Sequence, residues 1–169
     1  MNSDIDPDIE ENSDSASMEI VNGRRVDNTN ELSKFVVALV STKQSNQALC
    51  TGTLLTNDIV LTAAHCVEDR PDKLTIVFGT NVRTASRRNM RFASAYAQNP
   101  LWHHASKKGH GDLALIRFKG NPPVGYKPVL LAKNTTNLSV ASEVSIIGYG
   151  VINGNNHFGA GVLRQAKTS

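Results

Sequence analysis

The chain has 169 residues, of which 40% are apolar by the AVILMFWYC count and 12 are glycine, a length and composition that fit one globular domain or slightly more and exclude a wholly disordered or fibrous chain. No apolar run approaches the roughly 18 residues a membrane helix needs, which excludes a helical membrane span. The formal net charge of +3 conceals a split: residues 1–19 carry Asp4, Asp6, Asp8, Glu10, Glu11, Asp14 and Glu19 with no Lys or Arg, a charge of −7, while the remainder holds 18 basic and eight acidic side chains, a charge of +10.

In chain order, the prefix MNSDIDPDIEENSDSASME has high charge, few apolar residues and no periodicity, the composition of a disordered segment. It lacks a basic n-region and an apolar h-region, so it is not a signal peptide as written. Two origins stay open: a removable acidic pro-segment, or a solubilising or expression-derived tail. From Glu31 onward the apolar pattern has period 2 rather than 3.6. Phe35, Val37 and Leu39 alternate in KFVVALVS, Leu74, Ile76 and Phe78 do so in LTIVFG, and Phe92 continues the pattern in MRFASAYA. LALIRF, VLLA and EVSIIGYG are further short strand-like runs. RPD, NPLWHHASKKGHG, KGNPPVGYKP and INGNNHFG read as loops, and only TAAHCVED has the makings of a helical turn or two. Many short strands separated by turn signals predict an all-β sandwich or barrel.

Cys50 and Cys66 are the two cysteines, at the ends of CTGTLLTNDIVLTAAHC. Two strand-like runs flank Thr56-Asn57-Asp58, and a hairpin there brings the ends within reach of a disulfide. Such a bridge contributes about 3 kcal/mol in the chain-entropy model and implies an oxidising compartment; two buried free thiols are the alternative. Without a second Cys/His pair the spacing is a poor zinc signature.

Four motifs now point to one family. Leu61-Thr62-Ala63-Ala64-His65-Cys66, preceded by Cys50-Thr51-Gly52-Thr53-Leu54-Leu55, resembles the catalytic-histidine segment of trypsin-like (chymotrypsin-family) serine proteases. Ile20-Val21-Asn22-Gly23 resembles that family's N-terminus after zymogen cleavage, Asp112-Leu113-Ala114-Leu115-Ile116-Arg117-Phe118 its catalytic-aspartate strand, and Ile147-Gly148-Tyr149-Gly150 its Gly-Trp-Gly turn, with Tyr for Trp. The resemblance covers residues 20 to about 165. It implies two six-stranded β-barrels with the cleft between them, the first complete in this chain and the second only partly present. The corresponding divisions are an acidic segment at 1–19, an N-terminal segment at 20–31, the first barrel at 32–121, a connecting loop at 122–137 and the incomplete second barrel at 138–169.

Acyl transfer by serine needs a base near neutral pH, which histidine supplies, and an acid that holds one tautomer of it. The resemblance gives these roles to His65 and Asp112, which are 47 residues apart, against about 45 in the chymotrypsin template. That template puts its serine about 90 residues beyond the aspartate, and only 57 residues follow Asp112. No Gly-Asp-Ser-Gly-Gly occurs, and none of Ser139, Ser142, Ser145 and Ser169 has the glycines of an oxyanion hole. The expectation is therefore a trypsin-like endopeptidase truncated before its nucleophile and inactive alone, the alternative being a non-catalytic homologue that acts as a binding module. Peptide or protein would be the substrate, with no cofactor or metal required and secretion the expected location. The resemblance also makes Ile20 the activation N-terminus, although Glu19 precedes it where trypsin-activated relatives carry Arg or Lys, so a different activating protease is expected.

Other features carry two readings each. His103, His104 and His110 are a metal cluster or an exposed cleft-side loop; Trp102 lines a subsite or packs on the barrel. Arg83, Arg87, Arg88 and Arg91 meet a polyanion or form a solvated face; nucleic acid is not an expected partner. Asn134-Thr135-Thr136 and Asn137-Leu138-Ser139 are glycosylation sequons that matter only in a secreted eukaryotic protein.

Overall fold

The computed structural model describes residues 23–42, 47–67, 73–102, 111–134, 139, 142–151 and 159–168. Among the described residues there are nine strands, seven of them on the strand-like runs and two, the first and last, not foreseen: β1 (Arg24–Arg25), β2 (Val36–Thr42), β3 (Gln47–Leu54), β4 (Ile59–Thr62), β5 (Leu74–Val77), β6 (Met90–Gln98), β7 (Ala114–Phe118), β8 (Val144–Gly148) and β9 (Arg164–Thr168). Six of them close into an antiparallel barrel in the order β2-β3-β4-β7-β6-β5, and the other three form a sheet in the order β1-β9-β8. The chain is thus all-β, with one complete six-stranded barrel and part of a second sheet, as expected from its sequence. None of the described helical segments is long and apolar enough to cross a membrane.

The period of 2 explains the barrel core. Val37 and Leu39 on β2, Leu54 on β3, Val60 on β4, Leu74 and Ile76 on β5 and Ile116 and Phe118 on β7 all point inward and are buried. The Phe78 ring meets Phe118 edge-on at 5.9 Å and Tyr126 at 4.8 Å, the edge-to-face geometry aromatic quadrupoles favour.

β2 is buried on its other face as well. Val36 and Ala38 join Val26, Val77, Tyr149 and Leu163 in a second cluster, with Phe35, Val40 and Ile147 packed around it. That is why KFVVALVS reads as nearly continuous apolar sequence: its outer face meets the second sheet rather than water. Tyr149 is wholly buried, its hydroxyl donates to Gly79 O at 2.6 Å and its amide to Thr51 Oγ1 at 3.0 Å, and burial pushes its phenol well above the usual tyrosine range. Leu163 N donates to Thr80 O at 2.8 Å, and Asn81 bridges to Val162. These contacts fasten the sheet to the barrel wall.

Two expectations change. VLLA is not a strand: Val129 N donates to Leu54 O at 2.9 Å, but Leu130 and Leu131 stand exposed. Pro128 has no N–H to start a ladder there. Helical turns also occur beyond TAAHCVED, as single 3-10 turns at Glu31–Lys34, Val82–Thr84 and Arg87–Asn89. In the first two an asparagine side chain caps the turn, Asn30 accepting from Leu32 N and Asn81 from Arg83 N.

Gly52 marks the tightest point of the barrel wall. It pairs with Val37 across β2–β3, and a Cβ there would collide with Val60 Cγ1 and sit 3.3 Å from Val37 Cγ2. Both valines are fully buried, so neither can move aside cheaply. Gly52→Ala is expected to lower unfolding stability by about 1–3 kcal/mol, read as an earlier urea midpoint with an unchanged slope.

Candidate active site

The site is built where two barrel strands end side by side. β4 and β7 are antiparallel neighbours, with Thr62 opposite Ala114. Three residues beyond Thr62 comes His65, and two before Ala114 comes Asp112. His65 rides on the 3-10 turn Ala64–Val67, whose Ala64 and Val67 are buried in the barrel core. The turn is held further by the Cys50–Cys66 disulfide to β3, Cα–Cα 6.1 Å, and by Gln98 Nε2, which donates to Ala64 O at 2.9 Å. On the other side Gly111 adopts φ +76°, a left-handed conformation that favours glycine. A Cβ there would also meet Leu101 Cβ at 3.0 Å and its carbonyl carbon at 3.1 Å. Leu113 N donates to Gly111 O at 2.7 Å and Asn99 N to Leu113 O at 2.8 Å, so the backbone either side of Asp112 is fixed.

Asp112 grips the histidine at two points. Its Oδ1 accepts from the His65 backbone N–H at 3.0 Å, and its Oδ2 lies 2.7 Å from His65 Nδ1. Burial alone would raise the Asp112 carboxyl, but the hydrogen bonds from the His65 amide and ring, the charge of that ring and a further bond from the Ala64 backbone together hold it below the usual carboxylate value. An ionised carboxylate can only accept, so Nδ1 carries the proton, and in the neutral ring Nε2 keeps its lone pair. The ring is partly exposed, with 39% of its side-chain surface open to solvent against 25% for Asp112. Trp102 is half-buried against the barrel core, with its ring centroid 6.5 Å from that of His65. The arrangement is that of an oriented base with one nitrogen available to a proton donor.

The expected Cys50–Cys66 bridge is present. Its sulfurs and a ring nitrogen of His65 lie within 4.8 Å of one another, but bonded sulfurs have no thiolate to offer a metal. Ile20 and His103, His104 and His110 lie outside the described residues. Ser139 and Ser142 hydrogen-bond each other, and Ser145 Oγ accepts from Gln165 Nε2 at 2.9 Å. Arg91 is committed to the carbonyls of Arg88, Met90 and Asn121, whereas Arg83, Arg87 and Arg88 sit on or beside the 3-10 turns as exposed side chains. Asn134 is exposed, and the rest of its sequon lies outside the described residues. Sequence reading did not find Gln98: a polar residue ending a strand carries no signal of the distant carbonyl it will meet.

Comparison with known proteins agrees with this geometry. A family model described as trypsin matches residues 20–169. Seminase of Drosophila melanogaster is 28% identical over 143 residues, covering 84% of this chain and 50% of seminase. Phenoloxidase-activating enzyme 1 of Spodoptera litura is 26% identical over 126 residues, covering 63% of this chain and 33% of that enzyme. The crystal structure of the scabies mite inactivated protease paralogue S-D1 superposes with a TM-score of 0.73 at 19% identity, over 88% of this chain and 61% of that one. The chain therefore spans half or less of these curated relatives.

Two measurements test the site. Because the folded Asp112 carboxyl lies below its ordinary value of 3.8, its contribution to stability is present above that value and is lost as pH falls through the folded one. The destabilisation caused by Asp112→Asn, measured by urea unfolding, is expected to be largest near neutrality and to fade in strong acid; a pH-independent difference would contradict the hydrogen-bond account. Thiol titration of the unfolded, unreduced chain is expected to find none, and two would refute the Cys50–Cys66 bridge.

Proposed function

This chain belongs to the trypsin family, and from that membership we propose that it carries the base and its orienting acid from the Ser-His-Asp site of a serine endopeptidase. The paired hydrogen bonds of Asp112 to the His65 ring and backbone carry the reading. In the intact site His65 Nε2 removes the proton of a serine hydroxyl as it attacks a peptide carbonyl, then returns it to the leaving amine. Asp112 keeps the tautomer and stabilises the imidazolium without taking the proton itself. No metal or organic cofactor enters these steps.

The nucleophile is not among the 169 residues: they contain no Gly-Asp-Ser-Gly-Gly. Oxyanion-hole donors, each worth about 2.7–4 kcal/mol in the transition state, and the walls of the P1 pocket belong in the family to the same missing region. The chain by itself is therefore read as inactive. We place the acidic segment at 1–19, the activation N-terminus at Ile20, the first barrel at 32–121, the connection at 122–137 and the start of the second barrel at 138–169. The substrate is a protein or peptide, and a second protease cleaves before Ile20. The disulfide supports an oxidising, extracellular location.

A serine-directed fluorophosphonate probe tests this. The 169-residue chain is expected to take up no label. A product of the same gene that extends through a Gly-Asp-Ser-Gly-Gly segment is expected to label and to lose labelling in His65→Ala. Its Asp112→Asn variant is expected to lose about four orders of magnitude in kcat, the cost of the corresponding change in the chymotrypsin template. Labelling of the short chain would mean that a nucleophile has been missed. A transcript with a stop codon after Ser169 would leave the non-catalytic binding module as the reading.

A further inference from the structure

β1 is an edge strand: β9 pairs with one side of it, and no described strand pairs with the other. A cavity of about 770 Å³ lies against this sheet, lined by Arg24, Arg25, Asn30, Gln165 and Lys167 among others. Arg24 and Arg25 are exposed, and among the described residues neither has a carboxylate partner. Lys167 pairs with Glu143 at 2.7 Å. Opposite Arg25 in the ladder, the buried Arg164 gives its guanidinium to the carbonyls of Gly159 and Val162 rather than to a carboxylate. Burial and the nearby charge of Arg25 both lower its pKa, the mark of an uncompensated positive region.

We propose that this cavity and the free edge of β1 bind the chain's own acidic prefix, residues 1–19, as an intramolecular anionic ligand. Three observations favour that occupant. The prefix holds seven carboxylates and no base, against a body of net charge +10. Its acids also have a spacing: Asp4, Asp6, Asp8 and Glu10 fall at every second position, with Ile5, Pro7 and Ile9 between them. In an extended chain those four carboxylates share one face, as Arg24 and Lys167 do on the β1–β9 sheet, where Arg24 lies opposite Gln165. Finally, the prefix is covalently joined to its site: Glu10 and Asp4 precede Arg24 by 14 and 20 positions. A flexible tether of that length gives an effective concentration in the millimolar range, enough for weak exposed ion pairs to hold. Addition of an extended segment to an open sheet edge is a known recognition mode, and it covers an edge otherwise open to association. The inference concerns charge and strand edge only, and stands whether or not the catalytic reading does.

Arginine footprinting on the full chain tests it. Phenylglyoxal modification of each arginine is followed by peptide mass spectrometry in the unaltered chain and in a variant with D4N, D6N, D8N, E10Q, E11Q, D14N and E19Q together. Arg24 and Arg25 are expected to react about five-fold more slowly in the unaltered chain, the weight of two exposed ion pairs, with Arg83, Arg87 and Arg88 unchanged. In the unaltered chain alone, about 0.5 M NaCl is expected to remove the protection by screening, a check that does not depend on the variant folding. Equal rates in the two chains, or slowing spread evenly over Arg83, Arg87 and Arg88, would overturn the proposal. Protection that fades on dilution would overturn it in favour of the prefix of a second copy.

Discussion

The antiparallel pairing of β4 with β7 is the constraint on which the site depends. With Thr62 fixed opposite Ala114, the residues just past one strand and just before the other must meet. Because side chains alternate along a strand, a slip of one residue would turn Leu115 inward and Ile116 outward and unpack the barrel. The register that keeps Ile116 in the core is therefore the register that brings Asp112 to His65. Stability and the site geometry share one cause here, and the carboxylate can be gripped by a backbone amide and a ring nitrogen at once because both loops start from fixed strand ends.

The residues around this pairing have separate physical reasons for their identities. Cys50 anchors the histidine turn through its disulfide, the Thr51 hydroxyl receives the Tyr149 amide while its carbonyl accepts from Thr62 Oγ1, and Gly52 leaves room for Val60. Three consecutive positions on β3 thus join the site, the second sheet and the barrel interior. Tyr149 does a comparable job from the second sheet. It fills the space outside β2 and satisfies its hydroxyl on Gly79 O, which a buried phenol must do to avoid a desolvation penalty of about 1–3 kcal/mol.

Charge is distributed with equal unevenness. Apart from His65 with Asp112, the described ion pairs of the body are exposed, Arg117 with Asp58, Lys127 with Glu31 and Lys167 with Glu143, and such pairs contribute little to stability. The excess positive charge on β1 and on the 3-10 turns has its largest counterweight in the first 19 residues. That asymmetry belongs to recognition rather than to folding.

The sequence by itself determined the all-β class, through the period of 2 in runs such as LTIVFG, and it singled out His65, Asp112 and the cysteine pair through motif and spacing. These are local or short-range signals, and they survive in one dimension. It predicted the Cys50–Cys66 bridge, which the structure contains, but it took VLLA for a strand and was silent about Gln98 and Gly111. Only the tertiary structure decided those points. A carbonyl at Ala64 waiting for Gln98 and the backbone of Leu101 pressing on Gly111 are contacts set by how separate segments close on one another, and the exposure of Leu130 and Leu131 follows from what packs beside them. The strongest case is KFVVALVS: its sequence announces a strand, but that its outer face lies against Tyr149 and Leu163 rather than water follows from where the second sheet sits. Periodicity reports which way a side chain points, and only packing reports what it meets.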